Sequence, residues 1–258
     1  MQFIENEVKE IGPGVWIRVA VDNISWCDLG AFAVVIDALE DPTQADVVRA
    51  LIKETTGKEL KYIINTHWDA DHIACNAQWR EEGAIAIAHK SCADSADLDP
   101  RRPDIWFDER ACLRGLDDKR IEMQWLGGTH TAWDTVLYFP HAQVLHIADL
   151  FGWGLIPCRP TPAKVARLKE VLGTVVSYPA DAVICGHGPV ASPEHIRRWL
   201  RYFDELLAQV PSLVEAGKTL DEIEAQIAPP SDMADWWRFT DWKHRKNLEL
   251  LRDDYCSA

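Results

Sequence analysis

One short segment of the chain carries four side chains of types that bind metals. The segment reads Asn-Thr-His-Trp-Asp-Ala-Asp-His-Ile-Ala over residues 65–74, and it directly follows the apolar run at residues 60–64. That run predicts a short buried strand. The four side chains are those of His67, Asp69, Asp71 and His72. Their position together at a strand end indicates a site for one or two metal ions of hard or borderline character.

Three further candidate ligands lie in loop segments later in the chain. His130 lies in Gly-Gly-Thr-His-Thr, Asp149 in His-Ile-Ala-Asp-Leu, and His187 in Cys-Gly-His-Gly-Pro. Each of them follows a predicted strand or begins a turn. Loops at the carboxyl ends of strands are where layered α/β folds place their chemistry. The recurrence of this one setting predicts that the candidates meet in a single site.

Each candidate also has a purely structural interpretation. Asp71 fits the capping position of a helix that begins near His72, although capping leaves the flanking histidines unexplained. The alternative interpretation of His130 and His187 is that they are loop residues hydrogen-bonded to the backbone. The alternative for Asp69 is a solvent-exposed residue, or one that contacts a ligand without binding metal itself. The remaining histidines have no such motif and are interpreted as structural or surface residues: His89, His141, His146, His195 and His244.

Strand-like and helix-like runs alternate in two halves of the chain. The predicted strands lie at residues 14–20, 31–36, 60–65, 84–88, 120–126, 135–139, 144–147 and 182–185, and the predicted helices at 43–56, 72–82 and 162–172. Residues 97–118 are predicted to be irregular, and from Pro193 onward the pattern is mostly helical. This alternation predicts an α/β layered fold.

Composition excludes several classes of protein. Hydrophobic residues make up 47% of the 258 residues, which is enough for a sizeable core. The net charge of −14 argues against nucleic acid, because binding by counterion release needs clustered Lys and Arg. No apolar run approaches the ~20 residues of a membrane span, and the N-terminus lacks the features of an export signal.

The seven cysteines form no Cys-x-x-Cys pair, which argues against a disulfide framework or a zinc knuckle. We therefore expect a cytoplasmic protein with reduced thiols that acts on a small molecule and contacts neither nucleic acid nor membrane.

The chain has 12 tryptophans, an unusual number. Trp68 and Trp133 lie inside the candidate ligand loops and are expected to line the pocket or pack beneath it. A second aromatic group in the C-terminal segment is interpreted as a helix packed on the core, with an apolar lid or a homodimer contact as the alternative. That group consists of Trp236, Trp237, Phe239 and Trp242.

The order of the candidate ligands resembles that of the metallo-β-lactamase fold superfamily. Its pattern is His-x-His-x-Asp-His, then Gly-x-x-His, then a bridging Asp, then Gly-His. The matching residues are His67, Asp71 and His72 for the first motif, followed by His130, Asp149 and His187. The resemblance implies an αββα sandwich core over residues 1–192 and a helical C-terminal cap over residues 193–258 packed on that core.

The resemblance also implies a dinuclear metal site and a hydrolytic function. The implied ligands are His67, Asp69 and His130 for metal one, Asp71, His72 and His187 for metal two, and Asp149 as the bridge. A hydroxide shared by such a pair is the implied nucleophile, and Asp71 is both a ligand and a candidate acceptor of a proton. The implied enzyme is a single-domain metallohydrolase that acts on an ester, lactone, amide or thioester.

Asp69 departs from the family pattern, which usually has His at this position. A carboxylate is harder than an imidazole and shifts preference from zinc towards iron or manganese. The flavodiiron branch of the superfamily also carries a carboxylate there, which is Glu. The implied cofactors are therefore two divalent ions per chain, zinc or iron, with manganese as a further option. The alternative functions are a non-haem diiron redox enzyme that reacts with oxygen, nitric oxide or peroxide, and a non-catalytic relic that only binds metal.

Overall fold

A seven-stranded sheet forms the first half of the fold. The computed structural model of the protein describes residues 3–92 and 99–256. The strands of this sheet lie in sequential order and are β1 (Glu7–Gly12), β2 (Val15–Val19), β3 (Ile24–Asp28), β4 (Ala33–Ile36), β5 (Leu60–Ile64), β6 (Ile85–His89) and β7 (Ile105–Phe107). Strands β1 to β4 are antiparallel, and β4 to β7 are parallel. The carboxyl ends of β4, β5 and β6 therefore meet at one edge.

A five-stranded sheet forms the second half. Its order is β12-β11-β10-β9-β8. The bounds are β8 (Arg110–Arg114), β9 (Arg120–Trp125), β10 (Thr135–Phe139), β11 (Val144–Ala148) and β12 (Ala182–Cys185). Only β11 and β12 pair in parallel in this sheet, so their carboxyl ends also meet at one edge.

Helices cover the outer face of each sheet. They are α1 (Ala45–Thr56), α2 (Asn76–Glu81), α3 (Pro162–Val175), α4 (Pro193–Glu215), α5 (Leu220–Gln226) and α6 (His244–Cys256). Helices α1 and α2 pack on the first sheet through buried residues such as Ile52 and Trp79. Helices α3 to α6 pack on the second sheet in one large cluster that includes Trp199 and Leu251. A third cluster, which includes Leu137 and Phe139, lies between the sheets. These layers confirm the predicted αββα sandwich.

The helix predicted from His72 begins later, at Asn76. The intervening backbone bonds to the segment after β4 instead of continuing a helical turn. Ala38 N–H donates to His72 O at 2.7 Å, and Cys75 N–H donates to Ala38 O at 2.9 Å. These bonds satisfy backbone groups that an α-helix would otherwise use, so the segment carrying the metal-capable side chains forms only a short 3-10 turn, Ala70–His72, before α2 begins.

The prediction that residues 97–118 are irregular is wrong for β7 and β8, and its first two residues, 97 and 98, lie outside the described residues. Strand β7 pairs with β6, and β8 pairs with β9. Both are edge strands with mostly exposed or half-buried side chains, so neither carries the apolar pattern by which a buried strand is recognised. In the described ranges no helix is long and apolar enough to cross a membrane. The six cysteines whose side chains the structure describes are free.

Leu137→Ala is expected to destabilise the protein by about 2–5 kcal/mol, because it opens a cavity between the two sheets. Leu137 is 0% exposed. Unfolding in urea measures the change. Val47→Ala, at a position on α1 that is 51% exposed, is the control and should change stability by no more than about 0.5 kcal/mol. A Leu137→Ala protein as stable as this control would contradict the assignment of Leu137 to the core.

Candidate metal centre

Four histidine rings surround one buried carboxylate at the common edge of the two sheets. The Oδ2 atom of Asp149 lies 3.9 Å from His67 Nε2, 3.6 Å from His130 Nε2 and 3.2 Å from His187 Nε2. Its Oδ1 atom lies 3.7 Å from His72 Nε2. Side chains distant in sequence therefore converge on Asp149.

The ligand atoms fall into two groups that share Asp149. Within each group, all ligand atoms lie within 4.8 Å of one another. One group is Asp71, His72, Asp149 and His187, and the other is His67, His130 and Asp149. The family resemblance implies the same two sets with Asp149 as the bridge, except that Asp69, expected at metal one, is in neither group. That these groups bind metal stays a prediction.

Asp69 lies beside the second of these groups. Its Oδ2 atom is 3.3 Å from His130 Nε2 and 3.7 Å from His67 Nε2. Its side chain is 41% exposed, so Asp69 contacts the two rings from the solvent side. The structure thus brings all seven predicted ligands to one place, with Asp69 at the rim.

Asp37 is a functional residue that sequence reasoning missed. It follows β4, is buried, and accepts hydrogen bonds from His72 Nδ1 at 2.9 Å and from the backbone N–H of Thr66 at 2.8 Å. The carboxylate accepts from Nδ1, which leaves the Nε2 lone pair of His72 facing the centre. His146 lies buried nearby, with Nε2 3.9 Å from Asp37 and Nδ1 hydrogen-bonded to Ser25. A carboxylate directly after a buried strand was the signal that could have revealed Asp37.

Backbone carbonyls orient two more rings. His130 Nδ1 donates to Pro157 O at 3.1 Å, and His187 Nδ1 donates to Val21 O at 2.8 Å. A carbonyl only accepts, so Nδ1 carries a proton and Nε2 of the neutral ring offers a lone pair to the centre. This is the arrangement usual for histidines that bind metals.

Local backbone geometry brings Asp149 into contact with the rings. A β-bulge between His146 and Ala148 interrupts the register with β12, and Ala148 adopts a φ of 45°. Bulges commonly re-aim side chains next to active sites. Across from the bulge, a Cβ atom at Gly186 would collide with Asp149 Oδ1, so only glycine permits this approach.

The donor atoms fit divalent metal ions. Four of them are buried without a hydrogen-bond partner: His67 Nε2, His72 Nε2, His130 Nε2 and Asp149 Oδ1. Leaving a buried polar atom unpaired costs about 1–3 kcal/mol, so several together at one point need an explanation. Cations coordinated at this point would satisfy all four, and a set of imidazoles and carboxylates suits zinc, iron or manganese.

The charges at the centre shift the pKa values of its histidines and of Asp149 when metal is absent. Burial alone would raise the pKa of Asp149, but His72, His187 and His67 hold it well below its usual value. Burial lowers the pKa of His67 to about 4. Burial also opposes charge on His130 and His187, yet the carboxylates of Asp69 and Asp149 raise the pKa of His130 to about 9, and Asp149 and Asp22 raise that of His187 to about 10. Burial opposes charge on His72 as well, but Asp37 and Asp149 raise its pKa well above the usual value. Three protonated rings, those of His72, His130 and His187, therefore surround the buried carboxylates when metal is absent.

The metal-free protein is expected to lose stability as the pH rises from about 6.5 to 10. The folded-state pKa values of His130 and His187 exceed the unfolded value of about 6.5, so their stabilisation is complete below that pH and is lost as they deprotonate. Thermal unfolding of chelator-treated protein measures the decline. Metal-loaded protein is the control and should lack this decline, because metal replaces both protons. A melting temperature of the metal-free protein that stays constant or rises over this range would contradict the assignment.

The two tryptophans of the ligand loops lie on the side of His67 and His130. Trp68 is 8% exposed and packs with Ile73, Ala88 and Cys92. Trp133 is half-buried, packs against the same cluster, and donates from Nε1 to Ser91 O at 2.9 Å. Trp68 thus packs into this small apolar cluster, and Trp133 retains some exposed aromatic surface.

Comparison with known proteins agrees with this geometry. Residues 23–187 match the family described as the metallo-beta-lactamase superfamily. A curated relative, the 2,4-dinitroanisole O-demethylase subunit alpha of Nocardioides sp. (strain JS1661), is 29% identical over 152 residues, which cover 57% of this chain and 44% of the relative. The chain therefore spans less than half the length of that relative.

Metallo-β-lactamases are among the solved structures with the same fold. The enzyme from Pontibacter korlensis superimposes with a TM-score of 0.66 at 20% identity, covering 76% of this chain and 97% of that chain. The DIM-1 metallo-β-lactamase superimposes with a TM-score of 0.64 at 16% identity, covering 77% and 96%. At these identities the likeness shows the fold alone. Because the family match extends over well more than half of its residues, this chain belongs to the metallo-β-lactamase superfamily.

Proposed function

We propose that this protein is a dinuclear metal-dependent hydrolase whose substrate contains an ester, lactone, amide or thioester bond. The observation that carries the proposal is the pair of ligand groups joined at the buried Asp149. Membership of the superfamily supports a metal-dependent, hydrolase-type function. The unpaired donor atoms at the centre support metal binding independently of that membership.

The metal ions and the side chain of Asp71 have separate roles in this reaction. When bound, the divalent ions supply a hydroxide at neutral pH and polarise an oxygen of the substrate. The imidazole of His72, whose Nε2 lies 3.5 Å from Asp71 Oδ2, lowers the pKa of Asp71 to about 2, so Asp71 is ionised at neutral pH. An ionised carboxylate beside His72 and His187 can bind metal and accept a proton, but it cannot donate one. We therefore assign Asp71 as a ligand and a proton acceptor.

The exposure of the ligands indicates the side from which the substrate enters. The side chains of His67 and His72 are 1% exposed, whereas those of Asp69 and Asp71 are 41% and 29% exposed. The two histidines therefore form the floor of the centre, and the two aspartates lie at its mouth. A substrate that enters on this side meets Asp69 and Asp71 first.

A second candidate is cleavage of an aryl ether C–O bond. It is favoured by the relative, whose name states that it demethylates 2,4-dinitroanisole. Trp133, half-buried at the side of the centre, offers an aromatic surface next to the loop of His130. Water would add its oxygen to the ring carbon, the C–O bond would break, and methanol would leave with the remaining proton.

The redox alternative depends on Asp69. Asp69 lies 3.3 Å from His130 Nε2 and 3.7 Å from His67 Nε2, so as a ligand it would make metal one richer in oxygen donors than a site with three imidazoles. Oxygen donors favour iron and manganese over zinc. Iron in the native centre would permit reaction with oxygen, nitric oxide or peroxide.

Metal analysis combined with a substrate panel tests the proposal. Protein purified without added metal should contain about two ions per chain. After metal removal, zinc, iron or manganese should restore turnover of one class among esters, lactones, amides and thioesters, with 2,4-dinitroanisole assayed beside them. Two irons with a visible oxo-to-iron absorption and oxygen consumption would favour the redox alternative. Protein that binds no metal, or turnover independent of metal, would overturn the hydrolase proposal.

Asp149→Ala is expected to lower metal content and abolish activity without unfolding the protein. Without the bridging carboxylate, two dications would repel each other across the centre. Metal analysis and circular dichroism measure the two effects. Asp181→Ala is a matched control, because Asp181 is exposed at the start of β12, at the opposite end of that strand from His187. An Asp149→Ala protein that keeps two metals and full turnover would contradict the bridging role.

Asp69→His is expected to raise zinc occupancy relative to iron, because an imidazole replaces a harder oxygen donor. Competition between zinc and iron for the metal-free protein, in wild type and variant, measures the preference. Asp69→Asn keeps a side-chain oxygen but removes the negative charge, so it separates the effect of charge from the effect of donor type. Identical preferences in wild type and Asp69→His would show that Asp69 does not select the metal, and the zinc hydrolase would then be favoured over the redox enzyme.

A further inference from the structure

The loop that follows the bridging carboxylate contacts the surroundings of both metal positions. This loop, residues 150–157, ends at Pro157, whose carbonyl accepts from His130 Nδ1 at 3.1 Å. In its middle, Trp153 is fully buried and donates from Nε1 to Pro189 O at 3.0 Å, two residues beyond the last histidine ligand. The shape of the 150–157 loop therefore affects the orientation of the ligands on either side of it.

The loop adopts a backbone shape that is unfavourable by itself. Trp153 has a φ of 53° and Gly154 a φ of 92°. A bulky residue in the left-handed region costs on the order of 1–3 kcal/mol and persists only where surrounding contacts impose it. Gly154 also packs so close to Phe239 that an added Cβ atom would overlap the ring. Within the loop, the backbone N–H of Leu155 donates to Gly152 O at 3.3 Å across these two residues. Side chains outside the loop supply further contacts that hold this shape.

Asn247 on α6 provides two of these contacts. Its side chain is 0% exposed. Its Oδ1 atom accepts from the backbone N–H of Ile156 at 2.8 Å, and its Nδ2 atom donates to Gly154 O at 2.6 Å. The amide therefore holds the backbone on both sides of Leu155, immediately before Pro157. Within the described residues, the backbone N–H of Ile156 donates to no backbone carbonyl. Its hydrogen bond therefore depends on Asn247.

Lys243 holds the other end of the same loop. Its Nζ atom donates to Gly152 O at 2.8 Å and to Trp237 O at 2.9 Å, and it lies 4.2 Å from the ring centroid of Trp237. Burial lowers the pKa of Lys243 to about 7, but both carbonyls can accept from the ammonium form or from the neutral amine. The Trp237 ring in turn packs against Gly188, next to His187.

We propose that Asn247 is a positioning residue for metal one. Asn247 fixes Gly154 and Ile156, and this places Pro157 O where it accepts from Nδ1 of His130. The ring of His130 is thereby held with Nε2 directed at the centre. The inference rests on the metal centre of the proposed function, and it adds a residue of the C-terminal helix to the groups that set the affinity of that centre.

Asn247→Leu tests this role, with Leu251→Ala as the matched control. Leu251 lies one turn further along α6, is 0% exposed, and belongs to the apolar cluster of the same helix layer. Its loss should destabilise the protein by about 2–5 kcal/mol without removing a hydrogen bond to the loop. His130→Ala provides the reference for a protein that has lost metal one directly. Asn247→Ser serves the same purpose as Asn247→Leu if the leucine variant does not fold.

Electron paramagnetic resonance, used to monitor the binding of Mn²⁺, measures the effect. Wild type and Leu251→Ala should bind two Mn²⁺ with the spectrum of a coupled pair. Asn247→Leu should bind the ion at metal one about tenfold more weakly, and at limiting Mn²⁺ it should give the isolated-ion spectrum of His130→Ala. A folded Asn247 variant that binds both ions with wild-type affinity would overturn the positioning role. Failure of the wild type to bind a second ion would instead overturn the dinuclear centre itself.

Discussion

Burial of one carboxylate among four imidazole rings is the constraint on which the rest of this structure depends. Moving Asp149 out of water without compensation costs several kcal/mol, so the surrounding groups must supply positive charge. In the metal-free chain, protons on His72, His130 and His187 supply it; in the metal-bound chain, cations would take their place. Because both states balance the same carboxylate, metal binding and folding stability are linked through pH. The charge balance at the centre therefore sets the pH dependence of stability as well as the affinity for metal.

Four Nε2 atoms can face one carboxylate only if each ring is also held at its other nitrogen. The groups that do this belong to separate elements: Thr66 beside His67, Asp37 after β4, Val21 before β3, and Pro157 before α3. None of them is itself a candidate ligand. The parallel pairs β4–β5 and β11–β12 bring these elements to one edge, since parallel strands end together. The geometry of the centre is thus a property of the whole sandwich.

The aromatic C-terminal segment is packed on the core. Trp236 and Phe239 are buried, and they join a single cluster that runs from Val136 and Ile147 in the second sheet to α6. Trp242 is the exposed member of the group, at 44%. Packing of this segment against the 150–157 loop explains why polar groups such as Asn247 and Lys243 are buried there: they pair backbone carbonyls that strand or helix bonding leaves free. The segment that covers the second sheet therefore also reaches the centre.

The sequence by itself determined the fold class and the strand ends that carry the candidate ligands, because these signals are local. His67 follows a buried strand by three residues, and Gly186 directly precedes His187. Asp37 also follows a buried strand, but its role depends on His72, which lies 35 residues away along the chain. Asn247 gave no local signal, since its partner Ile156 lies 91 residues away. Sequence analysis also missed strands β7 and β8, because the side chains of these edge strands are mostly exposed or half-buried and form no apolar pattern. Only the tertiary structure decided which ring each group orients, because a hydrogen bond between distant residues is specified by how the sheets and helices pack.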